Sequence, residues 1–286
     1  MKIFLLFLIF VSVSACQTEN TSNKTNIAKG ETEINVVERY DLPKILEETS
    51  GLAIRNDTLW TLNDSGNEAT LYAISSTGAL VDSRETTRTN IDWEDMATAN
   101  GNLIVADMGN NFGTRKNLYL LEIDLNNGGA TTLDSIPFHY PEQENFGYQQ
   151  ATPFDAEGVI FIEDQLVVFT KNRSTQTTEI YTVSKTSEAA KKIGSLRVGS
   201  LITGADYHQE SNTLALTGYG KNKIQYLYVI NNFTLSTISS ASINQYDLHL
   251  NEAQVEAVAI LDPKTFWITS EETTKYNAFL AKAIIP

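Results

Sequence analysis

The chain of 286 residues carries 35 acidic against 21 basic side chains, a formal charge of −14, with 42% hydrophobic residues. That balance excludes a nucleic-acid binder, because phosphate recognition needs a positive footprint, and it opposes adhesion to anionic headgroups through the protein surface. A single cysteine, Cys16, provides no disulfide framework, so a domain of this size must rest on a buried core.

In chain order, the first element is a processing signal. Lys2 is followed by an unbroken apolar run from Ile3 to Val11, too short to span a bilayer core of about 30 Å, which needs roughly 20 apolar residues. The run ends in Val13-Ser14-Ala15-Cys16, small residues placed directly before the cysteine. This pattern resembles the lipobox of bacterial lipoproteins. The resemblance implies removal of residues 1–15, a diacylglycerol thioether on Cys16 and an acylated amine; an ordinary signal peptide with a chance cysteine is the plainer alternative. More than one acyl chain makes attachment stable, so membrane lipid is the first expected partner, in the bacterial cell envelope and at its outer membrane. Residues 16–33 then comprise the lipidated cysteine and a polar, aperiodic stretch, QTENTSNKTNIAKGETE, which reads as a flexible tether. Residues 34–286 read as one monomeric domain.

Within that domain one plan recurs five times. Its openings are Ser50-Gly51-Leu52-Ala53, Glu94-Asp95-Met96-Ala97, Glu157-Gly158-Val159-Ile160, Thr203-Gly204-Ala205-Asp206 and Glu256-Ala257-Val258-Ala259. Second strands are expected at 58–64, 102–108, 165–171, 213–219 and 265–271, and third strands follow as TLYAIS, LYLLEID, EIYTVSK, YLYVIN and AFLAKAI. Fourth strands are less regular, near 79–86, 134–140, 191–198 and 237–243. These stretches are rich in β-branched and aromatic residues and are separated by Asn, Asp and Gly turns. Only Ser187 to Lys192 offers a weak helical turn. Four short strands per repeat point to an all-β propeller of five four-stranded blades. The fifth repeat stops after its third strand, and INVVERYDL (34–42) is expected to supply the fourth and close the ring. The 63-residue step from Glu94 to Glu157 leaves room for a sixth blade, although 139–154 reads better as an insertion loop. A double-layer sandwich is the alternative all-β fold, and it would not require a repeated opening.

First strands line a propeller's channel, so residues sharing a repeat column form a ring. The opening column holds Ser50, Glu94, Glu157, Thr203 and Glu256. Three carboxylates in one ring repel strongly in a medium of lowered dielectric and call for a cation, bound protons or basic neighbours. Hard oxygen donors suit Ca²⁺ or Mg²⁺. Second-strand ends add Asn63, Asp64, Asp107, Lys171, Tyr219 and Glu271, with Arg115 and Arg173 close behind, although Asn, Asp and Gly also make turns throughout this chain. Trp93, beside three acids in Asp92-Trp93-Glu94-Asp95, is either a stacking surface for a ligand ring or an interblade core residue. The three histidines share no column. Neither a nucleophile elbow nor a zinc-protease motif occurs.

SGLA, LWTLNDSGN, DWEDMA and VADMGNN, followed by Arg115, resemble the exported phytase-like and esterase-like propellers, and more distantly the gluconolactonase, NHL and SdiA-regulated groups. The likeness is strongest over 50–115. The gluconolactonase resemblance implies a divalent cation at the channel mouth, held by Glu94 or Glu157 with Asn63 and Asp107. Two functions follow as expectations. One is a membrane-tethered module binding a small anionic or sugar-like ligand, or a protein or glycan partner, through Trp93, Lys171, Arg173 and Tyr219. In it Glu94, Glu157, Glu256, Asn63 and Asp107 surround the cation. The other is a divalent-metal-dependent hydrolase of lactonase, esterase or phosphoesterase type, with Glu94 and Glu157 as ligand and base and Arg115 orienting an anion.

Overall fold

A computed structural model describes residues 26–29 and 33–286; the signal segment and Cys16 lie outside them. The described chain forms five antiparallel sheets around one axis, a five-bladed propeller. Blade 1 comprises β3 (Thr49–Arg55), β4 (Thr58–Asn63), β5 (Thr70–Ile74) and β6 (Leu80–Glu85). Blade 2 comprises β7 (Trp93–Ala99), β8 (Asn102–Asp107), β9 (Leu118–Asp124) and β10 (Thr131–Phe138). Blade 3 comprises β11 (Ala156–Ile162), β12 (Gln165–Thr170), β13 (Thr178–Ser184) and β14 (Ser187–Leu196). Blade 4 comprises β15 (Leu201–His208), β16 (Thr213–Tyr219), β17 (Gln225–Ile230) and β18 (Ser242–Asp247). In blade 5, β19 (Gln254–Asp262), β20 (Thr265–Glu271) and β21 (Phe279–Ile284) take β2 (Asn35–Asp41) as their outer strand, in a register from Asn35 opposite Ile284 to Asp41 opposite Phe279. The ring is thus closed by chain segments from opposite ends of the sequence, as the pattern predicts.

Three expectations are corrected. The Ser187–Lys192 stretch is the start of β14, because an exposed outer strand tolerates the Ala-Ala-Lys-Lys composition that reads as helical. The fourth strand of blade 4 lies at 242–247, and the segment before it, Leu235–Ser240, is a 3-10 turn that buries Ile238. Residues Asn26–Lys29, read as tether, form β1, which pairs in parallel with β18 from Asn26–Ser242 to Lys29–Gln245. Between Phe138 and Ala156 there is no further blade, only an isolated bridge from His139 to Ala189.

The core is divided into five apolar clusters, each filling one gap between adjacent blades. Trp60, Leu62, Trp93 and Val105 fill the gap between blades 1 and 2, for example, and Phe169, Leu216, Tyr228 and Phe233 that between blades 3 and 4. At one end of the channel three of the first-to-second strand hairpins turn through two residues, with left-handed Asn56-Asp57, Asn100-Gly101 and Glu163-Asp164. Such turns match the strand twist. The other end, where first strands begin and second strands finish, carries the longer loops and forms the mouth.

Each first strand is bulged close to its opening. The ladder skips between Ser50 and Leu52, Trp93 and Asp95, Ala156 and Gly158, Ile202 and Gly204, and Val255 and Ala257. In blades 2 to 5 the residue left out of the ladder is Glu94, Glu157, Thr203 or Glu256. A bulge re-aims its side chain, and here it frees the opening column from the sheet. First strands are not laddered to one another, so side chains bond them. Asp95 accepts from Val159 N at 2.9 Å and Ala205 N at 3.2 Å, joining blades 2, 3 and 4. Asp206 accepts from Ile260 N at 2.6 Å, and Thr203 Oγ1 donates to Val255 O at 2.7 Å, joining blades 4 and 5. Replacing Asp95 by Ala strands two buried N–H groups, each costing about 1–3 kcal/mol. The melting midpoint of Asp95→Ala should fall by roughly 5–15 °C, as read by circular dichroism.

Candidate functional site

The mouth encloses a cavity of about 560 Å³ lined by seven carboxylates and three cationic side chains. Glu94, Glu157 and Glu256 all reach it from their bulges, each less than 8% exposed. Ser50 also lines it, with its hydroxyl donating to Glu94 O. Thr203 does not, because its hydroxyl is spent on the next blade. From the second-strand ends come Asp64, Lys171, Tyr219 and Glu271.

The acids fall into two groups that share Glu94. Carboxylate oxygens of Glu94, Asp155 and Glu157 lie within 4.8 Å of one another, and so do those of Asp64, Asp92 and Glu94. The first group already has its counter-charges. The buried Lys171 ammonium stands 3.0 Å from Glu157 and 5.7 Å from the Tyr219 ring centre. Arg173 pairs with Asp155, and its other terminal nitrogen donates to Asn111 Oδ1 at 2.6 Å. In the second group Asp92 has Arg115 at 3.8 Å, and Asp64 feels the more distant Lys171.

That group depends on a glycine. A Cβ on Gly109 would overlap Glu94 Oε1 and stand 2.5 Å from Asp92 Cγ. At the end of β4, Asn63 donates to Ile45 O at 2.7 Å while its own Oδ1 is buried without a hydrogen-bond partner, and its side chain does not line the cavity. A cradle that only glycine leaves open and three gathered carboxylates form an all-oxygen donor set. Its 4.8 Å spread matches ligands standing about 2.3–2.6 Å from a Ca²⁺ ion.

The electrostatics follow from burial. Glu94 and Glu157 are held well above the usual carboxylate range, by desolvation first; Glu157 then repels Glu94, whereas Lys171 pulls Glu157 back. Burial and the neighbouring Asp64 lift Asp92 to about 6, burial raises Glu256 to about 7, and burial with Glu256 lifts Glu271 to about 9. For Lys171 desolvation works downward, but Glu157 and Glu256 outweigh it and hold the ammonium charged.

Several expected roles change. Trp93 is fully buried in the core between blades 1 and 2, so its ring is no stacking surface for a ligand. Arg115 does not line the cavity. Its guanidinium is occupied by Asp107 Oδ1 at 2.7 Å, Gly109 O at 2.8 Å and Asn117 O at 2.9 Å, which fixes the loop that carries Gly109. Asp107, read as a metal ligand, is that arginine's partner. Asp155 and Asp92 were not singled out as ligands. Asp92 and Asp155 each stand two residues before an opening glutamate, Glu94 and Glu157, a column that carries an aspartate in these two blades only.

No protein-family model matches the chain, and no curated protein matches it. Solved structures that resemble it include a luciferin-regenerating enzyme at 10% identity, covering 89% of this chain and 95% of that one with a TM-score of 0.47. Another is a putative oxidoreductase (glucose dehydrogenase) from Thermus thermophilus at 8% identity, covering 88% and 100% with a TM-score of 0.48. A chain of the mitotic checkpoint complex matches at 12% identity over 99% of both chains, with a TM-score of 0.45. At such identities no site residue is carried across by alignment.

The raised carboxyls set a pH dependence. Unfolded, they titrate near 4.5; folded, Glu256 and Glu271 hold their protons to about 7 and 9. Between those limits the folded chain binds more protons, so stability is complete below about pH 4.5 at these two groups and is lost as pH rises. In EDTA the melting midpoint should therefore be higher at about pH 5.5 than at about pH 8.5. A rise in the opposite direction would show that the acid cavity does not govern the pH response.

Proposed function

We propose that this protein is a lipid-anchored envelope propeller that binds a divalent cation, Ca²⁺ in preference to Mg²⁺, at its channel mouth, and a small oxygen-rich ligand beside it. One observation carries the reading: Asp64, Asp92 and Glu94 converge without the basic partners that neutralise Asp155 and Glu157. Gathering one buried and two partly buried carboxylates costs free energy that either bound protons or a cation must offset. Asp64, Asp92 and Glu94 would hold the ion. Glu157, expected as a ligand, gathers with Glu94 and Asp155 and pairs with Lys171, and Glu256 lines the same cavity; there they and Arg173 would face the ligand. Membrane attachment rests on the lipobox-like segment ending at Cys16.

A hydrolytic version has one observation in its favour. Glu271 remains protonated to about 9 and Glu256 to about 7, and both line the same cavity. That places carboxylic acids able to donate a proton to a leaving oxygen next to the ion site. A bound divalent cation supplies Lewis acidity toward a carbonyl or phosphoryl oxygen.

Calcium titration decides the main reading. A ligand that binds only the folded state stabilises it by about 2.7 kcal/mol at a hundredfold excess over its Kd, which corresponds to a rise of roughly 5–10 °C in the melting midpoint. The rise should grow from about pH 5.5 to about pH 8.5, because protons compete for the same oxygens. Glu94→Gln should abolish it, whereas Glu256→Gln should leave most of it. No shift at millimolar Ca²⁺ would remove the cation site from the molecule.

A further inference from the structure

The loop connecting blades 2 and 3, residues 139–155, builds a wall on one side of the mouth. It is anchored to the loop after β8: Gln149 N donates to Phe112 O at 2.9 Å, and Gln143 Nε2 donates to Gly113 O at 2.8 Å. Gly113 is left-handed, and a Cβ there would stand 2.8 Å from Gln149 Nε2, so the two loops are closely fitted. On this wall Phe112 and Tyr148 stack with ring centres 4.8 Å apart and planes 21° apart. Nothing in the described fold covers them, since Phe112 is 50% and Tyr148 71% exposed. Lys116 stands 4.7 Å over the ring of Phe146 on the same loop. The platform adjoins the cavity along the chain: Asn111, which precedes Phe112, lines the cavity and accepts from Arg173.

Few of the side chains that line the cavity are apolar, although carbon and polar atoms share its surface about equally. Ala253 is its single aliphatic side chain, and Tyr219 its single aromatic one. Carboxylates, amides and hydroxyls make up most of the remainder, and such a lining rewards a ligand rich in hydroxyl donors. An exposed aromatic face outside it rewards a flat apolar surface. One chemistry offers both at successive positions. A pyranose ring presents hydroxyls at its rim and a C–H face above, and a chain of rings repeats the pair.

We infer that the mouth and this aromatic wall form one extended site for a linear oligosaccharide, its terminal ring in the polar cavity and a following ring stacked on Tyr148 and Phe112. This rests on the ligand-binding reading of the cavity and names its ligand class. A seat beyond the cavity makes affinity depend on chain length, which a single-ring ligand would not show.

The test is calorimetric titration of the mature chain with Ca²⁺ present. The probes are cello-, malto- and chitohexaose and hexagalacturonate, each against its monosaccharide. At least one hexamer should bind more tightly than its monomer. Tyr148→Ala should weaken that hexamer about 3–10-fold and leave the monomer unchanged, while Tyr148→Phe retains the wild-type value. Failure of every hexamer to exceed its monomer at millimolar concentration overturns the inference, and so does a Tyr148→Ala variant with unaltered hexamer affinity. The calcium-dependent melting shift of Tyr148→Ala should equal that of the wild type. A missing shift in the wild type, with hexamer binding intact, would remove the cation and leave the oligosaccharide site standing.

Discussion

Everything in this propeller depends on how five first strands meet at an axis without pairing. A sheet satisfies its backbone through ladders, but the inner edge of each first strand faces the channel and has no neighbouring strand in register. Buried side chains take up that role. Asp95 reaches blades 3 and 4, Asp206 reaches blade 5, and Thr203 makes a second bond across the same gap. The cost is visible at Asp95, where burial raises the carboxyl well above its ordinary range in spite of three backbone donors. Close approach of the strands also demands small residues. A Cβ on Gly51 would stand 2.9 Å from Met96 N, and one on Gly204 would overlap Glu256 O. The Gly and Ala of the repeated openings are therefore packing requirements of the axis.

That constraint produces the site. Because the strands are crowded, each ladder slips by one residue close to the mouth, and the slipped position turns its side chain toward the channel. In three blades that position is a glutamate. The same geometry that closes the ring thus gathers acid at one end of it. Gathering has a limit, since like charges in a poorly hydrated space repel strongly. The molecule divides the load: Lys171 and Arg173 neutralise the blade 3 side, and the blade 1–2 side retains Asp64, Asp92 and Glu94 around Gly109.

Blade number, closure by β2 and the opening column are legible in the sequence because each leaves a periodic trace. Second strands alternate or run apolar over six or seven residues, and the openings recur in a fixed relation to them. Elements that do not bury a face leave no such trace. β1 is polar and pairs only along one edge, and β14 is exposed along most of its length, so its alanines and lysines read as helix. Site residues divide in the same way. Glu94, Glu157 and Glu256 stand in a column and are recoverable. Asp92 and Asp155 stand two residues before their opening glutamates, but the other three blades have no aspartate there, so that column leaves a weaker trace. Trp93 and Arg115 have the residue types of a binding site, yet one fills a gap between blades and the other ties down a loop. Residue type alone does not say which way a side chain faces.

The asymmetry of the mouth has its origin in the one irregular repeat. Four of the five steps between openings are filled by a four-stranded blade and short connections; the step from blade 2 to blade 3 adds residues 139–155. Those residues supply Asp155, which pairs with Arg173 at the cavity, and through Gln143 and Gln149 they brace the loop that carries Asn111 and Phe112. A single insertion thereby sets the charge on one side of the cavity and raises the only wall of stacked, exposed aromatic rings among the described residues. Regular repeats build the ring, and the departure from regularity gives it a direction.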